Sequence, residues 1–96
     1  MTATLIALAT PNPTETQAAQ RYSEHAKRLL QEFGGKPVGR FSKQDILVGH
    51  DAPQVTLVVN FDDASQIHDF IQSDAYQALI PDREQGFLSM TIYIAQ

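Results

Sequence analysis

Gln54-Val55-Thr56-Leu57-Val58-Val59-Asn60-Phe61, followed at once by Asp62-Asp63, decides how this chain folds. The run is rich in β-branched side chains and reads as a strand, and one this apolar belongs in the middle of a sheet rather than at its edge. Asp62 or Asp63 then caps a helix with Ala64, Ile67 and Ile71 on one face. Further on, Ser73-Asp74 caps a short third segment through Tyr76 and Leu79, Pro81 forces a break, and Gly86 closes the turn. Phe87 to Ala95 alternates Leu88, Met90, Ile92 and Ile94 against Ser89, Thr91 and Tyr93, the pattern of a half-buried strand. The C-terminal half is therefore strand, helix, strand.

The N-terminal half repeats that order. Leu5-Ile6-Ala7-Leu8-Ala9 is a short continuous apolar run and reads as a strand buried on both sides. Asn12-Pro13-Thr14-Glu15 gives a helix start, with Asn12 as cap, Pro13 in the first turn and Glu15 reaching back as in a capping box. Ala19, Tyr22, Ala26, Leu29, Leu30 and Phe33 recur at helical spacing, and Gly34-Gly35 ends a helix of about twenty residues, roughly 30 Å long. A second strand is expected from Lys36 to Phe41 and again over Ile46 to Gly49, broken by Ser42-Lys43-Gln44-Asp45. Pro37 and Gly39 place it at an edge or a bulge. His50-Asp51-Ala52-Pro53 turns the chain into the strand quoted first.

The order β-α-β-β-α-β defines an α+β fold of ferredoxin-like type, a four-stranded antiparallel sheet with the helices on one face and the first and third strands central. A single domain over residues 1–96 is expected, since 96 residues suffice for one core. The face away from the helices carries either Leu5, Ala7 and Ala9 or Ile6 and Leu8, with Thr56, Val58 and Asn60, and Ser89, Thr91 and Tyr93. Such a face is too apolar to leave in water and too polar for a dry core, so the expected partner is a second copy laid sheet to sheet. Small side chains there are expected to leave a cavity lined by Asn60, Thr91 and Tyr93, the default place for a small-molecule ligand.

Composition narrows the function classes. Hydrophobic residues make up 43% and charged residues 19%, as in ordered globular proteins. The formal charge is −4 and the seven basic residues are scattered, which disfavours nucleic acid as a partner. No run reaches the ~20 apolar residues of a membrane span, and no leader is read from the N-terminus; with no cysteine, a cytoplasmic location is expected. Gly34-Gly35 lacks the spacing of a phosphate-binding loop, so no nucleotide or other cofactor is expected.

The sequence resembles a bacterial family of about this length known as a domain of unknown function, DUF1330, within the dimeric α+β barrel superfamily. The resemblance is densest from Phe61-Asp62-Asp63-Ala64-Ser65 through Phe70-Ile71-Gln72-Ser73-Asp74-Ala75-Tyr76-Gln77-Ala78-Leu79 to Arg83. It is echoed by Tyr22, Phe33-Gly34-Gly35, Arg40 and Leu47-Val48-Gly49. Phe70-Ile71 stands where the family usually shows a Trp-Tyr-like pair, and Pro37 enters the second strand. The resemblance implies a homodimer with a barrel formed around the two sheets. It implies no particular activity, because related barrels include cofactor-free monooxygenases, isomerases, cyclases and haem-handling enzymes.

The candidate site residues follow. Asn60, Thr91 and Tyr93 are the polar groups expected on the cavity face. Arg40, Arg83 and Tyr76 are further ligand-binding candidates, the arginines for an anionic group. His50, His25 and His68 are the acid-base candidates; His50 is next to Asp51, and His25 or His68 would be the axial ligand were haem bound. The histidines and carboxylates show no metal-ligand spacing, so no metal is expected. Three functions remain open: a small-molecule binding protein or enzyme, a non-catalytic structural or regulatory homodimer with a filled barrel, and, behind these, a haem-binding protein or cofactor-free monooxygenase.

Overall fold

A computed structural model describes residues 2–96. Strands β1 (Ala3–Pro11), β2 (Lys36–Ser42), β3 (Val55–Phe61) and β4 (Phe87–Ala95) form one sheet in the order β2-β3-β1-β4, every neighbouring pair antiparallel. The two most apolar strands are the central ones, as their composition requires. Helix α1 (Thr16–Glu32) joins β1 to β2, while α2 (Ala64–Gln72), α3 (Asp74–Gln77) and α4 (Ile80–Gly86) join β3 to β4.

The register settles which strand-one residues face the helices. Leu5 pairs with Val59 and Ile94, and Ala7 with Leu57 and Ile92, so the odd-numbered residues of β1 and β3 point to the helix side. Ile6 and Leu8 pair with Val58 and Tyr93 and with Thr56 and Thr91, and share the opposite face. On the helix side, Ala3, Leu5, Val59 and Phe61 bury against Tyr22, Ala26 and Leu30 of α1 and against Ile67, Phe70, Tyr76 and Leu79.

Four local expectations need correction. Asn12 does not cap α1: its Oδ1 accepts from the Thr14 N–H at 3.1 Å and the Thr14 hydroxyl at 2.9 Å, making a turn. Its own N–H goes to the Gly86 carbonyl at 2.9 Å and Glu15 accepts from Gln85, so neither half of a capping box forms and the helix starts at Thr16. Ile46 to Gly49 are not strand. The β2–β3 pairing ends at Ser42 with Val55 and the Lys43 N–H bonds the Gln54 carbonyl, which leaves the intervening residues without a partner strand. Leu47 and Val48 accordingly stand 90% and 94% exposed. A register shift between Thr10 and Pro11 turns Phe87 inward and Leu88 out to 65% exposure. Finally, the chain beyond Pro81 forms a further helix, α4, with the proline in its first turn, where its missing N–H costs nothing.

Other signals hold. Gly34, at φ +97°, ends α1: its N–H bonds the Gln31 carbonyl and that of Gly35 bonds Leu30, the paired closure that favours glycine. Asp63 caps α2 with Gln66 reaching back to it, and Ser73 caps α3. The bulge at Pro37–Gly39 sits on edge strand β2.

Helix α1 lies closest to α4. A Cβ at Gly86 would press into the backbone of Ala18 and Ala19, so only glycine permits that approach. The contact is braced by Arg21, which grips Asp82 through Nη2 at 2.9 Å and Nε at 3.2 Å. The Arg21 hydrogen bond holds the Asp82 carboxyl below the usual carboxylate range.

A carboxylate depressed in the folded state stabilises above its unfolded pKa of about 3.9, and that contribution is lost as pH falls through the folded value. Urea midpoints followed from about pH 6 to about pH 2 should therefore fall less steeply below about pH 4 in Arg21→Gln than in the parent; parallel curves would contradict the assignment. In the core, Phe70→Ala should cost about 3–5 kcal/mol in denaturant titration. Val48→Ser should stay within about 0.5 kcal/mol of the parent.

Candidate functional site

A cavity of about 660 Å³ lies between α1 and the sheet. Its floor comes from the inward residues of the strands, among them Ala7, Ala9, Leu57, Val59 and Ile92, and its rim reaches β2 at Arg40. Its roof is the alanine-rich stripe of α1, including Ala19 and Ala26. The space exists because methyl groups face methyl groups: with α1 fixed against α4, side chains as short as Ala7, Ala9 and Ala26 cannot close the gap to the sheet. Gln20, Ser23, Glu24, Lys27 and Gln31 supply polar groups along the helix edges.

One polar network meets this cavity. The Tyr22 and Tyr76 hydroxyls lie 2.8 Å apart in the interior, and Arg83 Nη1 donates to the Tyr76 oxygen at 3.0 Å. The Arg83 guanidinium also lies 5.8 Å from the Tyr76 ring centre, within cation–π range. The rings belong to a chain of edge and tilted contacts, Phe33 to Phe70 to Tyr76 to Tyr22 to Phe87, with centroid separations of 4.8 to 6.2 Å. Burial first, then the bond to Tyr76, pushes the Tyr22 hydroxyl far above the ordinary tyrosine range, so it stays protonated. Burial alone would lower the Arg83 pKa, but its interactions with Tyr76 outweigh that and leave it raised.

The structure distributes the candidate residues over three places. Arg40 is on the cavity rim, and Tyr76 and Arg83 form the network behind it. Arg83, His68 and Tyr93 border a second, more open groove of about 600 Å³ between α2 and β4, floored by Met90, Ile92 and Ile94. Asn60, Thr91 and Tyr93 stand on the face of the sheet away from the helices, the face expected for them, and do not line the cavity between α1 and the sheet. Asn60 has a partner within the sheet, its Oδ1 accepting from the Thr4 hydroxyl at 2.8 Å. His25 is exposed, with Nδ1 donating to the Arg21 carbonyl at 2.8 Å, and His50 and Asp51 are exposed in the β2–β3 loop. None of the three histidines lines the large cavity, so none is placed as an axial ligand there. Among the described residues, no three His, Asp or Glu side chains converge as a metal site.

Tyr22 is the residue that sequence reasoning left among the core positions. Its one distinguishing signal was a tyrosine in a stripe otherwise built mainly of alanine and leucine, where a hydroxyl must find a partner.

The element order and the sheet order define a class, the α+β proteins of ferredoxin-like fold. The chain is similar to the Rhodopseudomonas palustris protein RPA0582, of unknown function, with a TM-score of 0.83 at 12% identity over 98% of this chain and 80% of that one. It is also similar to a DABB-family protein with a ferredoxin-like fold from Mesorhizobium loti, with a TM-score of 0.72 at 11% identity over 99% and 95% of the two chains. A third likeness is to a dimeric ferredoxin-like protein of unknown function from Bacteroides fragilis, with a TM-score of 0.68 at 10% identity over 99% and 95%. These likenesses concern the fold. No curated protein matches the sequence. Residues 5–96 match the family model described as "Domain of unknown function (DUF1330)", and the chain belongs to that family.

The tyrosine pair predicts a coupled stability effect. Tyr76→Phe should cost about 1–3 kcal/mol by denaturant titration, because Arg83 and Tyr22 lose a shared buried partner. Tyr22→Phe combined with Tyr76→Phe should cost less than the sum of the single changes. Strictly additive costs would show that the two hydroxyls do not interact.

Proposed function

We propose that this chain is a homodimeric small-molecule-binding protein whose ligand, mainly apolar and of aromatic or lipid-like character, occupies the cavity between α1 and the sheet. The observation that carries this reading is the cavity itself. Its volume of about 660 Å³ falls within the range of known ligand sites, about 300–1,000 Å³. Its floor and roof are aliphatic, with few polar groups, which suits an occupant held by shape and burial. An enzymatic role would use the same cavity.

The opposite face of the sheet supports the dimer. Ile6, Leu8 and Val58 lie half-buried there beside Thr56, Thr91 and Tyr93, and a second sheet laid over them would remove an apolar surface from water. The two faces then divide the work: one holds the partner, the other the ligand.

N-phenyl-1-naphthylamine, a neutral apolar fluorophore, should bind saturably with about one site per chain. Leu57→Trp, which fills the cavity from β3, should weaken that binding at least ~10-fold while the circular dichroism is retained. Ile6→Lys, on the other face, should halve the mass seen by light scattering and leave binding per chain nearly intact. Absence of saturable binding to the parent protein would refute the ligand site, and an Ile6→Lys protein that stays dimeric would refute the interface.

A further inference from the structure

Two hydroxyl protons meet at the Tyr22–Tyr76 contact, and the geometry provides for one of them. Each phenol carries a single proton, and the pair shares one O···O hydrogen bond. Among the described residues, the only other polar contact of either oxygen is the Arg83 N–H, which is itself a donor and takes no proton. Among the described residues every buried side-chain nitrogen or oxygen has a partner, yet one O–H remains without an acceptor.

The position of Arg83 assigns that proton. With its oxygen already accepting from Arg83, Tyr76 is polarised to donate onward to Tyr22, which leaves the Tyr22 proton over. Exposure points the same way. Tyr76 is 1% exposed and lines neither the cavity nor the groove beside β4, whereas Tyr22, at 5%, is part of the cavity wall. A buried donor without an acceptor is costly, so a molecule that brings an acceptor into the cavity gains more than one that does not.

We infer that the Tyr22 hydroxyl donates a hydrogen bond to the ligand, and that the ligand is an apolar molecule bearing an sp² oxygen acceptor, a carbonyl or carboxylate, at the end that meets Tyr22. This rests on the cavity being the binding site and adds to it a polar anchor and a ligand class. Arg83 and Tyr76 touch no ligand in this arrangement; Arg83 occupies the Tyr76 oxygen and so leaves the Tyr22 proton free for the cavity. Because burial and the Tyr76 bond keep Tyr22 protonated, the donor persists across the ordinary pH range.

Three naphthalene probes of similar size test this by calorimetry or fluorescence: 2-ethylnaphthalene with no acceptor, 2-acetonaphthone with a ketone, and 2-naphthoate with a carboxylate. The parent protein should hold at least one of the two oxygen-bearing probes about tenfold more tightly than the hydrocarbon, and whichever is favoured tells whether the natural acceptor is neutral or charged. Tyr22→Phe should reduce that advantage to within about twofold while the hydrocarbon binds as before. Tyr76→Phe, which keeps the Tyr22 proton, should retain most of the advantage. Equal loss in both variants would overturn the inference, since it would report general disturbance of the aromatic chain, and so would an advantage that survives Tyr22→Phe. If the parent binds 2-ethylnaphthalene but shows no preference for oxygen, the inference fails alone. If it binds none of the three, the cavity is not a binding site and both readings fail together.

Discussion

Two tyrosine hydroxyls 2.8 Å apart, one on α1 and one on α3, sit where the layers of this fold meet. A buried polar pair is tolerable only when its geometry is fixed by everything around it, because in a low-dielectric interior a misplaced hydroxyl costs as much as a well-placed one contributes. Here the surroundings fix it closely. Phe70 and Phe87 pack against the rings, Arg83 reaches the Tyr76 oxygen from α4, and Ser73 sets the start of the turn that carries Tyr76.

That junction decides where α1 can lie. Tyr22 holds its N-terminal half against α3, and the close approach at Gly86 and the Arg21–Asp82 pair hold it against α4, while the stripe it turns to the sheet is largely alanine. Towards β2 the helix is carried over strands whose inward residues include Ala7 and Ala9, and the gap that results is the cavity. The candidate site is thus a consequence of how the helix layer is anchored. It also explains why the two sheet faces differ: the small residues of β1 are on the helix side, and the larger Ile6 and Leu8 are on the side left for a partner.

Much of the fold was legible because it rests on local signals. The β-branched run before Asp62-Asp63, the Gly34-Gly35 stop and the Ser73 cap each fix an element by backbone chemistry acting over a few residues. What could not be read depended on contacts made across the chain. Asn12 and Glu15 look like a helix start until Gly86 and Gln85 take the groups a capping box would use. Leu88 fits the alternation of β4, but a register shift against Pro11 turns Phe87 inward in its place. The parity of Leu5-Ile6-Ala7-Leu8-Ala9 is symmetrical in sequence, since both sets are apolar, and only pairing with β3 and β4 breaks the tie. That parity puts Ala7 and Ala9 on the helix side, where the cavity lies, while Asn60, Thr91 and Tyr93 stand on the other face, as their alternation in β3 and β4 predicts. The densest family-like segment, ending at Arg83, did lead to the network beside the cavity, although Tyr22, its contact with the cavity wall, lies 54 residues away in sequence from Tyr76.

The claim that everything else serves is that the helix face of the sheet holds the ligand and the opposite face holds the partner. Isotope-filtered NMR on methyl-labelled protein with N-phenyl-1-naphthylamine bound tests it most directly. Cross-relaxation from the probe should reach the methyl groups of Ala7, Ala26 and Leu57, which wall the cavity. Cross-relaxation to Ile6, Leu8 and Val58 instead would put the ligand between the sheets and contradict the assignment of the two faces.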